Sequence, residues 1–402
     1  MKDKITFLPD NVTIEVETNT SLFRAAKAAG VYVLSSCGGK GNCGKCKVVV
    51  KQGVVEPGQS RSYLSAEEQE RGYVLACHSH VTGDLVVEVP AESRMQAKHK
   101  IATGAKTDEL LKLMEQAGGC LESRISRIYL DLKPPTLDDN ISDLERVRRA
   151  LDQAGFEAEH LHINFMVLKK LAHVLREADW KVTLALFHTG RVTEVLDIFP
   201  HNVVQKRFGV AVDIGTTTVV VYLVDLANGH IIGSASSYNA QVKCGDDVIT
   251  RIVYATEKNG LQELQDLVIG NITGLLTEIS TKHGIRPGMI DYMVVAGNTT
   301  MNHLFYGINP QFIREEPYIP TATFFPLIRG KSIGFTMDPQ VLIYAMPNVA
   351  SYVGGDITSG VLVSQLHKKE AVSLFIDIGT NGEIVLGNKD WMVTAACSAG
   401  PA

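Results

Sequence analysis

Four cysteines in the first fifth of the chain, Cys37, Cys43, Cys46 and Cys77, have the type and spacing to hold a metal. Five residues separate Cys37 from Cys43, two separate Cys43 from Cys46, and thirty separate Cys46 from Cys77. Thiolates are the soft anionic donors that sulfide-bridged iron requires, and a close trio with a distant fourth is the spacing of a two-iron cluster. A four-cysteine zinc site usually takes its ligands as closely spaced pairs, whereas Cys77 stands alone. Gly38, Gly39, Gly41 and Gly44 thin the loop, so backbone N–H groups could reach the cluster sulfurs. His78 and His80 follow the fourth cysteine, but a full set of thiols makes them unnecessary as ligands. Cys120, Cys244 and Cys397 lack partners at metal spacing and read as small buried hydrophobes.

A second constellation occurs twice. FGVAVDIGTTTVVVYLVDLANG at 208–229 is echoed by SLFIDIGTNGEIVLGNKD at 373–390. In each, an apolar strand ends in an aspartate, Asp213 or Asp377, and a Gly-Thr turn leads into the next strand. Such a turn presents successive N–H groups and hydroxyls to a polyphosphate, and the strand-end aspartate can hold Mg2+ through its water shell. One Asp-x-Gly-Thr turn is no more than an ordinary hairpin, so the duplication is what discriminates. Glu383 follows the second turn and could orient an attacking water, although strand alternation could equally point it elsewhere. Asp356, in the GGD that opens a helix, reads either as a residue near the phosphate site or as a helix cap.

These groups need elements to position them, and the composition supplies them. With 402 residues, 45% hydrophobic and 21% charged, the chain can bury cores for two or three domains. A formal net charge of −5 offers no field for a polyanion, so nucleic acid is a poor partner. No signal peptide and no uncharged stretch long enough for a bilayer are visible, so a cytoplasmic protein without membrane contact is expected.

Short strands around the helix SLFRAAKAAG organise a ferredoxin-type module over 1–91, and 92–122 reads as a linker with one helix in DELLKLMEQAGG. RIYLDL, KVTLALF and TEVLDIF alternate with two helical patterns in a middle α/β domain, 123–206. The histidines there, His160, His162 and His173, read as surface or satisfied core positions. The duplicated turns belong to the last domain, 207–402.

VAVDIGTTT and FIDIGTNGE resemble the two phosphate motifs of the actin, sugar-kinase and heat-shock ATPase superfamily. Together with the cysteine module, which resembles vertebrate-type two-iron ferredoxins, the chain resembles the reductive activators of corrinoid proteins and of corrinoid methyltransferases. NAQVKCGDDVITRI at 239–252, VVAGNTTMNHLF at 294–305 and PNVASYVGGDITSGV at 347–361 extend the likeness over essentially the whole chain.

The resemblance implies an α/β and α+β multidomain fold: a β-grasp ferredoxin domain, a small α/β middle domain and an incomplete, duplicated ribonuclease-H-like ATPase domain. It implies a 2Fe-2S cluster on Cys37, Cys43, Cys46 and Cys77, with ATP and Mg2+ as further cofactors. Asp213 and Asp377 match the magnesium-associated aspartates. Gly215, Thr216, Thr217 and Thr218 match one phosphate turn, and Gly379, Thr380, Asn381 and Gly382 the other. The implied activity is ATP-dependent return of cob(II)alamin to cob(I)alamin on a corrinoid protein, fed by an upstream low-potential donor, and a homodimer stays open.

An activator of another low-potential enzyme and a simple 2Fe-2S electron carrier are the competing readings, with a small-molecule kinase behind them. The sequence stops at CSAGPA, about two dozen residues after Asp377, so a fragment lacking the adenosine-binding half, with unpaired sheet edges, is expected.

Overall fold

A computed structural model of the chain describes residues 2–31, 33–35, 39, 41, 44–90, 93, 123–157, 160–257, 259–286, 288–379 and 382–397. Alternating apolar residues in the first strands bury Ile5 and Phe7, while Ser21 caps the helix Leu22–Ala28 by accepting the Arg24 N–H at 3.3 Å. Gly30 lies just past its end, as the sequence suggested. This helix sets Leu22, Ala25 and Ala26 against a five-stranded sheet ordered Val12–Glu17, Lys2–Leu8, Leu85–Glu88, Lys47–Gln52, Tyr73–Leu75. The first and last long strands, Lys2–Leu8 and Leu85–Glu88, run parallel at its centre, as a β-grasp module requires. The helix expected within 107–118 lies outside the described residues.

The next sheet holds Ile125–Asp131, Lys181–His188 and Thr193–Pro200, with Leu161–Ile163 added at the edge. Helices Asp143–Gln153 and Phe165–Glu177 start at Ser142 and Asn164, each of which caps with its side chain. His160 and His173 are exposed and pair with Glu157 and Glu177 on the surface.

Six strands form the third sheet, ordered Ile231–Tyr238, Thr218–Asp225, Phe208–Ile214, Ile290–Gly297, Leu342–Ala345, Ile328–Arg329. The apolar positions Leu264, Val268, Ile272, Leu276 and Ile279 of helix Leu261–His283 follow the helical period and share one core with Val210, Val212, Val219 and Val221. Ile125, Ala185 and Phe187 meet Leu342 in a smaller cluster that joins this sheet to the preceding one.

The last sheet has three strands, Ser373–Ile378, Gly382–Gly387 and Met392–Cys397, and its first two repeat the antiparallel hairpin of Phe208–Ile214 and Thr218–Asp225. Leu374, Ile376, Ile378, Trp391 and Val393 stand exposed on it. Cys397, expected to be buried, is exposed because its edge strand has no covering layer among the described residues, whereas Cys244 is buried as expected. Cys120 lies outside the described residues. No helix among those described is long and apolar enough to cross a membrane.

Candidate functional site

Three parallel strands, Phe208–Ile214, Ile290–Gly297 and Leu342–Ala345, point their carboxyl ends the same way, and open α/β sheets bind ligands beyond such ends. The first ends at Asp213 and the turn Gly215–Thr217. The second runs into Asn298, which caps helix Thr299–Tyr306 by accepting the Met301 N–H at 2.9 Å. The third leads to helix Gly355–Ser364, whose first turn carries Asp356. Gly354 takes the capping position, so Asp356 is not the cap; its carboxylate accepts the Ile357 N–H at 2.9 Å. In the second hairpin Asp377 lies directly opposite Glu383 in register, and Glu383 is only 7% exposed.

Asp213, Asp356 and Glu383 are each shifted by burial and by neighbouring carboxylates. Burial, and after it the Asp356 and Asp377 charges, push Asp213 up to about 6. Asp213 is open to solvent on one side and hemmed in by protein on the others. Burial also raises Asp356 to about 6, opposed by the Ile357 N–H and aided by Asp377. Glu383 rises to about 7, through burial first and then Asp356 and Asp377. Like charges gathered in this way favour a cation between them. Among the described residues no three such side chains close on one point.

Residues from the stretches 239–252 and 294–305, none of them named as a candidate site residue, brace the first turn. Thr216 is buried: its hydroxyl accepts from Asn298 Nδ2 at 3.1 Å and its carbonyl from Arg251 Nη2 at 2.5 Å. Thr216 therefore faces inward, leaving Gly215, Thr217 and Thr218 as the half-exposed part of the turn. Asn239 donates from Nδ2 to the Gly215 carbonyl at 2.9 Å and from its backbone to the Thr217 carbonyl at 2.9 Å. On the second turn Gly379 and Gly382 bound the hairpin, while Thr380 and Asn381 lie outside the described residues.

In the amino-terminal module the Cys46 and Cys77 sulfurs are 3.2 Å apart, within reach of one metal ion, and neither is in a disulfide. Cys46 is fully buried and opens strand Lys47–Gln52. Cys37 and Cys43 lie outside the described residues. Gly41 has φ +87°, and a Cβ there would come within 2.7 Å of the His78 ring, whose Nε2 lies 2.8 Å from the Gly41 carbonyl. His78 in turn stacks on Tyr63, so it serves to pack the loop. Two adjacent thiols fit two of the four ligands expected for a cluster.

Comparison with known proteins agrees with both halves. Residues 5–82 match the model of the 2Fe-2S iron-sulfur cluster binding domain. Residues 115–205 match the RACo linker region, 208–369 the RACo middle region, and 371–402 the C-terminal domain of RACo, the ASKHA domain. The corrinoid activation enzyme RamQ of Eubacterium limosum is 29% identical over 97% of this chain and 60% of its own length. A component of the Na(+)-translocating NADH-quinone reductase of Haemophilus influenzae is 39% identical over 20% of the chain and 20% of its own. A solved reductive activator for corrinoid, iron-sulfur protein is 41% identical, covers 99% of this chain and 63% of its own, and superimposes with a TM-score of 0.63. The chain thus spans about three-fifths of the length of these two full-chain relatives. With a 2Fe-2S cluster binding domain ahead of the three RACo regions, in that order, the chain belongs to the RACo family.

Proposed function

We propose that this chain forms the electron-delivering module and first nucleotide-binding lobe of an ATP-dependent reductive activator. It passes one electron to a corrinoid protein and returns cob(II)alamin to cob(I)alamin. The observation that carries the reading is the gathering of Asp213, Asp356, Asp377 and Glu383 around paired phosphate turns, in a chain that also brings Cys46 and Cys77 together.

The cluster supplies one-electron chemistry when bound, held by Cys37, Cys43, Cys46 and Cys77. Asp213 and Asp377 would hold Mg2+ through its waters, and the turns at Gly215–Thr218 and Gly379–Gly382 would offer backbone N–H groups and hydroxyls to the β- and γ-phosphates. Glu383, with its carboxyl near 7, orients the attacking water and accepts its proton. The two hairpins sit in separate sheets, so loss of the γ-phosphate changes what holds them together. A low-potential donor then restores the electron given to cobalt. The relatives whose names mention corrinoid activation support the choice of partner.

The test mixes protein of the relatives' full length with a cob(II)alamin-loaded corrinoid protein and a low-potential reductant, with and without Mg-ATP, and follows the Co(I) spectrum. Co(I) should form far faster with Mg-ATP. Equal formation in both arms removes the energy coupling from the reading.

A further inference from the structure

Segment Asn239–Asp246 has two working sides. Its inner side holds the first phosphate turn through Asn239, as described, and through Arg251. Arg251 is fully buried, donates from Nε to the Gly245 carbonyl at 2.9 Å and from Nη1 to Gln241 Oε1 at 3.1 Å, and reaches the Thr216 carbonyl with Nη2. A forked guanidinium is suited to joining three acceptors in fixed relation. Among the described residues no carboxylate hydrogen-bonds to it, and its placement is set by these oxygens together with Met301 Sδ, 3.1 Å from Nη1.

The outer side of the same segment faces the ferredoxin module. Tyr238, Val242 and Asp246 line one wall of a crevice of about 190 Å3, and Phe23, Lys27 and Val31 line the other. Lys27 is close enough to draw the Asp246 carboxyl down against the rise that burial causes. Phe23 continues toward the metal loop: Gly39, at φ +82°, lies so close that a Cβ there would come within 2.7 Å of the Phe23 ring. The crevice therefore separates the segment that holds the Gly215–Thr217 turn through Arg251 and Asn239 from the helix whose Phe23 packs on Gly39.

We propose that Arg251 is a positioning residue that converts occupation of the first phosphate turn into a change in how the ferredoxin module docks at the Lys27–Asp246 seam. This rests on the nucleotide-binding reading above and names the part of the chain that carries its signal. A phosphate drawn onto the Gly215–Thr217 amides shifts the Thr216 carbonyl, and Arg251 ties that carbonyl to Gly245 and Gln241. The seam then closes or loosens, which changes the exposure of the metal loop that Phe23 supports.

Amide hydrogen exchange on cluster-loaded protein of the relatives' full length tests it, because the readout needs no corrinoid partner. Saturating Mg-ATP should change exchange in residues 22–31 by at least about fivefold, the low end of ordinary coupling between sites. Arg251→Lys should remove that response at saturating Mg-ATP. Lys27→Glu and Asp246→Lys, both at the seam surface, should each weaken it with Mg-ATP binding retained, and the double exchange of charge should restore it. If Mg-ATP binds and residues 22–31 do not respond, or respond equally in the Arg251 and Lys27 variants, the relay is wrong while the activator reading stands. If Mg-ATP does not bind at all, both fall. Should Arg251→Lys fail to fold, the seam variants and their charge exchange decide the matter alone.

Discussion

Arg127 and Asp291, 164 residues apart in sequence, form a forked ion pair with N–O distances of 2.8, 3.0 and 3.2 Å that joins the four-stranded sheet to the six-stranded one. Both side chains are essentially buried, and the guanidinium also lies 4.3 Å from the centre of the Phe199 ring. Burial raises the Asp291 carboxyl, and the Arg127 guanidinium opposes the rise. Removing one partner strands the other charge in a dry site. Arg127→Leu should therefore cost about 3–5 kcal/mol in the stability of this interface, and Arg127→Leu with Asp291→Leu together distinctly less. Chemical unfolding of the three proteins measures it, and a double variant as unstable as the single one would contradict the buried-charge account.

Near this pair, Asp338 is a carboxylate in an unfavourable place. It is 2% exposed, one of its oxygens has no hydrogen-bond partner, and burial with the neighbouring Asp291 and Asp197 charges raises it to about 7. The N–H groups of Gly288 and Ile290 oppose the rise, and Lys170 pairs with Asp197. Since the folded-state value lies above the ordinary one, the associated stability is fully present below about pH 4 and is lost as pH rises through 7. Asp338→Asn cannot ionise. Its melting temperature should fall less than the parent's between pH 5 and pH 8, and identical falls would remove Asp338 as the cause.

Local pattern explains how much of this could be read beforehand. The Asp213 and Asp377 hairpins were legible because each is one strand, one turn and one strand, with its chemistry in contiguous residues. Cys46 and Cys77 were legible from type and spacing alone. Glu383 was ambiguous because alternation gives two faces and only pairing with Asp377 selects the inward one. Asp356 was ambiguous because helix starts favour aspartate for two reasons, and the cap fell to Gly354. Asn239 and Arg251 lie in the stretch 239–252 that carries the likeness, but their roles, like that of the Arg127–Asp291 pair, could not be read there, since each acts on backbone or side chains brought near only by tertiary folding.

The thiol pair offers a test of modularity. Cys46 and Cys77 share the ferredoxin core with Leu22, Leu75 and Val48, which is separate from the core under the Gly215–Thr217 turn. Cys77→Ser should abolish the visible absorption and paramagnetic resonance of the 2Fe-2S cluster while leaving Mg-ATP binding within about threefold of the parent, an additive outcome expected of sites that share no partners. Loss of nucleotide binding together with the cluster signal would show instead that the two cores fold as one unit.

The reverse experiment removes chemistry from the nucleotide end. Asp213 ends a strand of the six-stranded sheet, and Glu383 stands on a strand of the three-stranded one, so neither touches the thiols of the ferredoxin core. If Glu383 positions water and takes its proton, Glu383→Gln keeps the shape and hydrogen bonding of the side chain but loses the base. ATP hydrolysis should then drop by about 10²–10⁴-fold with binding retained. If Asp213 holds the cation as proposed, Asp213→Ala should weaken the Mg2+ dependence of nucleotide binding and abolish ATP stimulation of electron transfer. In both variants the cluster spectrum should match the parent's. An Asp213→Ala protein still stimulated by ATP would take the aspartate out of the nucleotide site, and a Glu383→Gln protein hydrolysing ATP at the parent rate would leave its raised carboxyl a consequence of crowding by Asp356 and Asp377 alone.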